Sequence, residues 1–192
     1  ANLRAIPRMI VIRPADANET AVAWRVAVEP RDMPIALILT RQDVPTLDRE
    51  RYASADGLYR GAYVLLDPPD GEPELILIAT GSEVDLIVSA QEQLTNEGIR
   101  VRTVSMPSWE LFEAQAQEYR DSVLPPSIHS RLAVEAGSPQ GWCRYVVDGG
   151  DVIGLDHFGA SAPGKTVLSE FGFTVENVCA RAMDVLTKKG KA

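Results

Sequence analysis

Cysteine is scarce: Cys143 and Cys179 are the only two in 192 residues, and they form no C-x-x-C pair. That speaks against a disulfide framework and suits reduced thiols in a cytoplasmic protein. Positive charge is the minority, with 19 Lys plus Arg against 27 Asp plus Glu and a net charge of −8. Without a Lys/Arg cluster, the basic surface that nucleic acid demands is missing. No apolar run nears the ~20 residues that span a bilayer. The first 14 residues are broken by Arg4, Arg8 and Arg13, so they lack the apolar core of a secretory signal. His129 and His157 have no acid or thiol at metal-ligand spacing, which disfavours zinc. No G-x-S-x-G nucleophile elbow is present. What remains is a soluble globular composition, 45% hydrophobic and 24% charged. The length fits one large domain, or one domain plus a piece of another. A chain of this size buries about 70% of its unfolded surface and needs no staples.

Residues 1–45 read as strand, helix, strand. The apolar run 9–12 is the first strand, and 35–39 is the second. Asp16 and Glu19 have capping-box spacing. Ala17, Ala21, Trp24 and Val28 then recur at helical intervals, so they are the expected inward face of a helix stopped by Pro30. Two continuous apolar strands joined by a helix predict a parallel βαβ unit. Residues 43–60 are rich in charge and turn formers and make the best linker, giving a division into 1–45, a linker at 46–60, and 61–192.

Beyond Gly61, strands are expected at 63–66, 75–79, 101–104, 132–134 and 152–155, and helices after Ser82, over 109–123, over 165–170 and after Thr174. Ser82 is the expected cap of its helix, with Asp85 at the third position; Val84, Ile87, Val88 and Leu94 face inward, and Gly98 ends the helix in a left-handed turn. Thr174 is the expected cap of the last helix, whose Val178, Cys179, Ala182 and Leu186 are apolar, and Lys188, Lys189 and Lys191 suit the dipole at its end. This alternation predicts an α/β fold with a doubly wound, mostly parallel sheet, preceded by the strand-helix-strand remnant of a second α/β domain.

Residues 159–166, Gly-Ala-Ser-Ala-Pro-Gly-Lys-Thr, match the phosphate-loop pattern G-x-x-x-x-G-K-[ST]. Their context is poor: the match falls late in the chain, no later strand ends in Asp, and His157 and Phe158 intervene after the strand. A surface turn entering a short helix is the plainer reading. Gly81-Ser82 lies where a strand meets a helix, a place that can offer N–H groups to an anion or simply make a capped turn. Asp148 and Asp151 read as loop residues rather than an acid/base pair. Arg41 follows the carboxyl end of a strand, where α/β proteins gather ligands. Its guanidinium could grip phosphate or carboxylate, or form an ordinary loop salt bridge.

In order, the segments resemble the carboxyl-terminal part of the transketolase family. Leu3-Arg-Ala-Ile-Pro7, Ile12-Arg-Pro-Ala-Asp16-Ala-Asn-Glu-Thr20 and Leu39-Thr-Arg-Gln-Asp-Val-Pro45 are similar to the late part of its pyrimidine-binding domain. Gly61-Ala-Tyr-Val64, Ile78-Ala-Thr-Gly-Ser-Glu-Val84, Val104-Ser-Met-Pro107, Phe158-Gly-Ala-Ser-Ala-Pro163 and Phe171-Gly-Phe-Thr174 are similar to its C-terminal domain. The Phe-Gly-Ala-Ser turn belongs to that resemblance and accounts for the phosphate-loop match. Deoxyxylulose-phosphate synthase and pyruvate dehydrogenase share the architecture, but Arg41-Gln42 and the 171–174 ending favour transketolase.

The resemblance implies an enzyme that moves a two-carbon ketol unit between sugar phosphates, in the pentose phosphate pathway or Calvin cycle. It implies a cytoplasmic homodimer using thiamine diphosphate with Mg²⁺ or Ca²⁺. Arg41 maps onto the substrate-phosphate Arg. The family's Gly-Asp-Gly motif, its thiamine-activating Glu and its Asp-Gly-Pro-Thr-His-Gln-Pro segment have no counterpart in these residues. The chain is therefore expected to act as a fragment, inactive alone, with no catalytic, cofactor or metal residue of its own. The alternative is a free-standing, non-catalytic α/β module that binds a nucleotide or another anion.

Overall fold

The computed structural model describes residues 1–29 and 32–189, excluding the side chains of Lys188 and Lys189. Near the amino terminus, β1 (Ile10–Ile12) and β2 (Ile35–Leu37) pair in parallel, Ile10 opposite Ile35, with α1 (Ala17–Val28) as the crossover. The predicted βαβ unit is therefore present. Asp16 caps α1 by accepting from Glu19 N–H at 2.8 Å. The reciprocal half of the box is altered: Glu19 Oε2 accepts from Ala15 N–H, and Oε1 accepts from Tyr63 Oη at 2.8 Å and Ser105 Oγ at 2.6 Å.

The face of α1 differs from expectation. Val22, Ala23 and Val26 are buried with Glu19, whereas Ala17 and Ala21 are exposed, Trp24 is 54% exposed and Val28 is 76% exposed. The helix carries two apolar stripes offset by two residues, about 200° around its axis. The stripe with smaller side chains packs with Ile10, Ile12, Ala55, Leu58 and Leu111. Trp24 instead borders a shallow concavity with Met33 and Leu39. The expected stop at Pro30 lies outside the described residues; α1 itself ends at Val28.

Residues 43–60 are held at several points. Leu47 N–H and the Arg49 guanidinium both donate to Asp16 Oδ2, at 3.0 and 2.8 Å. Leu47, Tyr52, Ala55 and Leu58 are buried, the last two in a 3-10 turn over Ala55–Arg60.

A five-stranded sheet follows, in the order β3-β5-β4-β6-β7. Its strands are β3 (Tyr63–Leu66), β4 (Leu75–Ala79), β5 (Val101–Ser105), β6 (Arg131–Val134) and β7 (Asp151–Ile153). All pairings are parallel except that of β3, an edge strand with a register shift between Val64 and Leu66. Every residue of central β4 is buried, as its unbroken apolar run requires. Helices α2 (Glu83–Asn96) and α7 (Val175–Lys189) pack together on one face. On the other face lie α3 (Trp109–Glu113), α4 (Gln117–Val123) and α5 (Cys143–Val146), around fully buried Trp142. This is the expected doubly wound, mostly parallel α/β architecture.

Three local details depart from the sequence reading. Residues 109–123 form two helices, not one; Arg120 folds back onto the Glu113 carbonyl at 3.2 Å and satisfies an orphan helix-end acceptor. Ser82 has helical dihedrals and makes no side-chain cap; its hydroxyl donates to Glu83 Oε1, while Gly81 at φ +64° makes the turn. The strand expected at 152–155 occupies Asp151–Ile153. Gly98 has the predicted left-handed conformation, and Thr174 Oγ1 accepts from Asn177 N–H. The side chains of Lys188 and Lys189, and all of Lys191, lie outside the described residues.

The seam between the two sheets is hydrogen-bonded. Val11 N–H donates to Glu110 Oε2 at 3.1 Å, and Arg13 N–H donates to the Pro107 carbonyl at 2.9 Å. Gly81 N–H returns a bond to the Arg13 carbonyl. No helix among the described residues is long and apolar enough to cross a membrane.

Candidate functional site

Both sheets point the carboxyl ends of their parallel strands at one crevice, the place where open α/β sheets bind ligands. β1 runs into Arg13, and β4 leads through Thr80 into Gly81-Ser82; β2 ends at Leu37, not at the expected residue 39, and leads through Ile38-Leu39 into Thr40-Arg41-Gln42. The last wall is the exposed stretch 157–163 and α6 (Gly164–Glu170). The crevice has a volume of about 320 Å³, and Arg13, Gly81 and Glu83 are among the residues that line it. A wider concavity of about 900 Å³ adjoins it across Arg41 and Gln42 and adds Lys165.

Arg41 is exposed on the ridge between these hollows, with no ion-pair partner among the described residues. Its guanidinium is therefore available for a bidentate grip on an anion. Among the described residues, the ordinary loop salt bridge, the other option for Arg41, is not formed.

Beneath the crevice lies a charge network that sequence reasoning did not foresee. Arg13 donates to Glu83 Oε2 at 2.9 Å and to Glu135 Oε1 at 2.7 Å. Glu135 also accepts from Arg4 at 2.8 Å and from the Trp142 indole at 2.7 Å. Burial by itself would raise the Glu135 carboxyl. The hydrogen bond and charge of Arg4, the charge of Arg13 and the Trp142 bond outweigh it and hold the group below the usual carboxylate range. Glu19 shows the opposite balance: complete burial raises it, bonds from Ser105, Ala15 and Tyr63 only partly offset this, and the nearby Asp16 charge adds to the rise. The available signal was positional, since Glu83 and Glu135 each follow the carboxyl end of a central strand.

Of the other singled-out residues, Gly81, Ser82, Gly159, Gly164 and Lys165 line the same hollows as Arg41, whereas His129, His157, Asp148 and Asp151 are not among the lining residues. Residues 154–163 separate β7 from α6, and Lys165 and Thr166 stand in the first turn of a seven-residue helix, so the phosphate-loop match lacks its strand-turn-helix context. His129 and His157 are exposed, and the His157 ring packs edge-on against Phe171. Asp151 is ion-paired with Arg181, which agrees with a structural role, and Asp148 is exposed. No group of three His, Cys, Asp or Glu among the described residues could hold a metal ion. Arg41 and Lys165 at the hollows suit an anion, and among the described residues no side-chain cluster there supplies the ligands of a divalent cation.

Two family models cover this chain: the transketolase-like C-terminal domain over residues 61–174, and the transketolase pyrimidine-binding domain over residues 1–46. The chain belongs to the transketolase family. It is 56% identical to a transketolase of Geobacillus stearothermophilus over 188 residues, and 49% identical to one of Aquifex aeolicus over 183. Those matches take in 98% and 95% of this chain but 28% and 26% of the relatives. Among solved structures, Leishmania mexicana transketolase superposes with a TM-score of 0.89 at 40% identity, over 97% of this chain and 26% of that one. A Pichia stipitis transketolase in complex with sedoheptulose 7-phosphate gives 0.89 at 37% identity, over 99% and 27%. The chain thus spans little more than a quarter of the transketolases it matches, and its phosphate-loop look-alike lies inside the region matched by the family's C-terminal domain.

Proposed function

We propose that this chain is a segment of a transketolase, the enzyme that transfers a two-carbon ketol unit between sugar phosphates, and that Arg41 binds the substrate phosphate. The observation that carries the reading is the Arg41 guanidinium, without an ion-pair partner among the described residues, on the wall of the crevice at the strand ends. The chain's net charge of −8 repels a sugar phosphate overall, so attraction must come from a placed cation. Residues 1–45 act as the end of the pyrimidine-binding domain, 46–60 as the connection, and 61–192 as the C-terminal domain.

When bound, thiamine diphosphate with Mg²⁺ or Ca²⁺ supplies the electron sink. The residues here do not fit that group, and their part is confined to holding and orienting the substrate anion. The 192 residues alone do not catalyse transfer in this reading; the working enzyme is a cytoplasmic homodimer of the pentose phosphate pathway or Calvin cycle. The test is Arg41→Ala in the transketolase that carries this segment. Loss of a charge-assisted bond should raise KM for a phosphorylated ketose about 10- to 100-fold. KM for an unphosphorylated ketose should not move. Equal KM values for wild type and variant with the phosphorylated sugar refute the role.

A further inference from the structure

With no salt-bridge partner among the described residues, Arg41 takes its direction from the backbone that carries it. That backbone is a short turn closed by its own side chains: the Thr40 hydroxyl donates to Gln42 Oε1 and accepts from Gln42 N–H at 3.3 Å. The outer side of the turn is closed by α6. A Cβ on Gly164, the first residue of α6, would lie 2.6 Å from Gln42 Nε2, 2.9 Å from Cγ and 3.1 Å from Cδ. Real Cβ atoms essentially never come within 3.0 Å of a neighbour. Gly164 does not have a positive φ, so closeness to Gln42, and not backbone freedom, is what requires glycine here.

We infer that Gly164 and Gln42 are positioning residues for Arg41, with the start of α6 acting as a backstop that keeps the Thr40–Gln42 turn closed. The inference rests on the assignment of the substrate phosphate to Arg41. A methyl group at position 164 is not relieved by turning the Gln42 amide alone, because Cγ also lies inside 3.0 Å, so the whole Gln42 side chain must swing away. That swing breaks the bond from Thr40 and releases the turn. No residue of α6 is fully buried, and Leu168 meets the core only from its margin, so the core itself is not opened. The aim of the guanidinium is lost while the fold is kept.

The experiment compares Arg41→Ala, Gly164→Ala, Gln42→Ala and the Gly164→Ala/Gln42→Ala double variant in the transketolase that carries this segment. KM and kcat are measured with a phosphorylated and an unphosphorylated ketose, and the melting temperature is recorded. Gly164→Ala should raise KM for the phosphorylated sugar about three- to tenfold, with little change in kcat, in KM for the unphosphorylated sugar or in Tm. In the Gln42→Ala background the same change should add nothing, because the group it strikes has gone. If Arg41→Ala has no effect, the phosphate assignment itself fails. If Arg41→Ala weakens binding but Gly164→Ala matches wild type, the positioning role is overturned and the phosphate assignment stands. An effect of Gly164→Ala on both sugars alike, or additive effects in the double variant, also overturns the positioning role.

Discussion

Arg13→Met removes a charge from the buried seam while keeping most of the aliphatic volume. The Arg13 side chain is 17% exposed, and its partners Glu83 and Glu135 are 3% and 6% exposed. Breaking a buried ion pair from one side costs about 3–5 kcal/mol, because the orphaned charge stays desolvated. Here the damage is unequal. Glu135 keeps Arg4, whereas Arg13 is the only ion-pair partner of Glu83 among the described residues. The cost should therefore concentrate on Glu83. Adding Glu83→Gln to Arg13→Met should recover about 1–3 kcal/mol, since Gln can still accept from Ala136 N–H. Adding Glu135→Gln should worsen matters, because two buried nitrogens of Arg4 already lack a partner and Glu135 is its remaining anchor. Urea denaturation followed by tryptophan fluorescence is the assay, with Trp142 reporting directly through its bond to Glu135. As a control, Arg51→Ala breaks a pair that is 53% and 45% exposed and should cost under about 1 kcal/mol. A loss for Arg13→Met no larger than the control, or no recovery from Glu83→Gln, would refute the reasoning.

Other expectations concern pH and nucleotide. Glu135, depressed in the folded state, contributes stability that is complete above its unfolded value of roughly 4.3 and is lost as pH falls below it. Glu19, raised in the folded state, binds its proton more tightly when folded, so stability declines as pH rises from roughly 4.3 towards the folded value. Glu19→Gln should flatten that decline in denaturation curves taken between about pH 4 and 8; an unaltered slope would exclude Glu19 as its source. Calorimetry with ATP and Mg²⁺ should give no heat of binding, and saturable heat abolished by Lys165→Ala would favour the nucleotide-module alternative.

What the sequence revealed was chiefly local. The unbroken apolar run of β4, the Asp16 cap and the Gly98 turn could be read directly, since each depends on a few consecutive residues. The position of Arg41 on the crevice wall was legible too, because the loop that follows a strand is placed by the α/β fold itself. The inward face of α1 was not, for the helix offers two apolar stripes and only tertiary neighbours choose between them. Ser82 failed as a cap for a related reason: the buried Glu83 beside it competes for its hydroxyl. The charge network was beyond reach, because Arg13 meets Glu83 and Glu135 across 70 and 122 residues and periodicity carries no information about such partners.

The capped side of β1 has a consequence for association. Two-stranded sheets ordinarily have two free edges, each a template for another strand. Here the outward N–H groups of Val11 and Arg13 are taken by the Glu110 carboxylate and the Pro107 carbonyl. Among the described residues, β2 has a strand on one side only. The small sheet can therefore lengthen in one direction, outward from β2. Partner strands and misassembled copies of the chain would compete for that single rail.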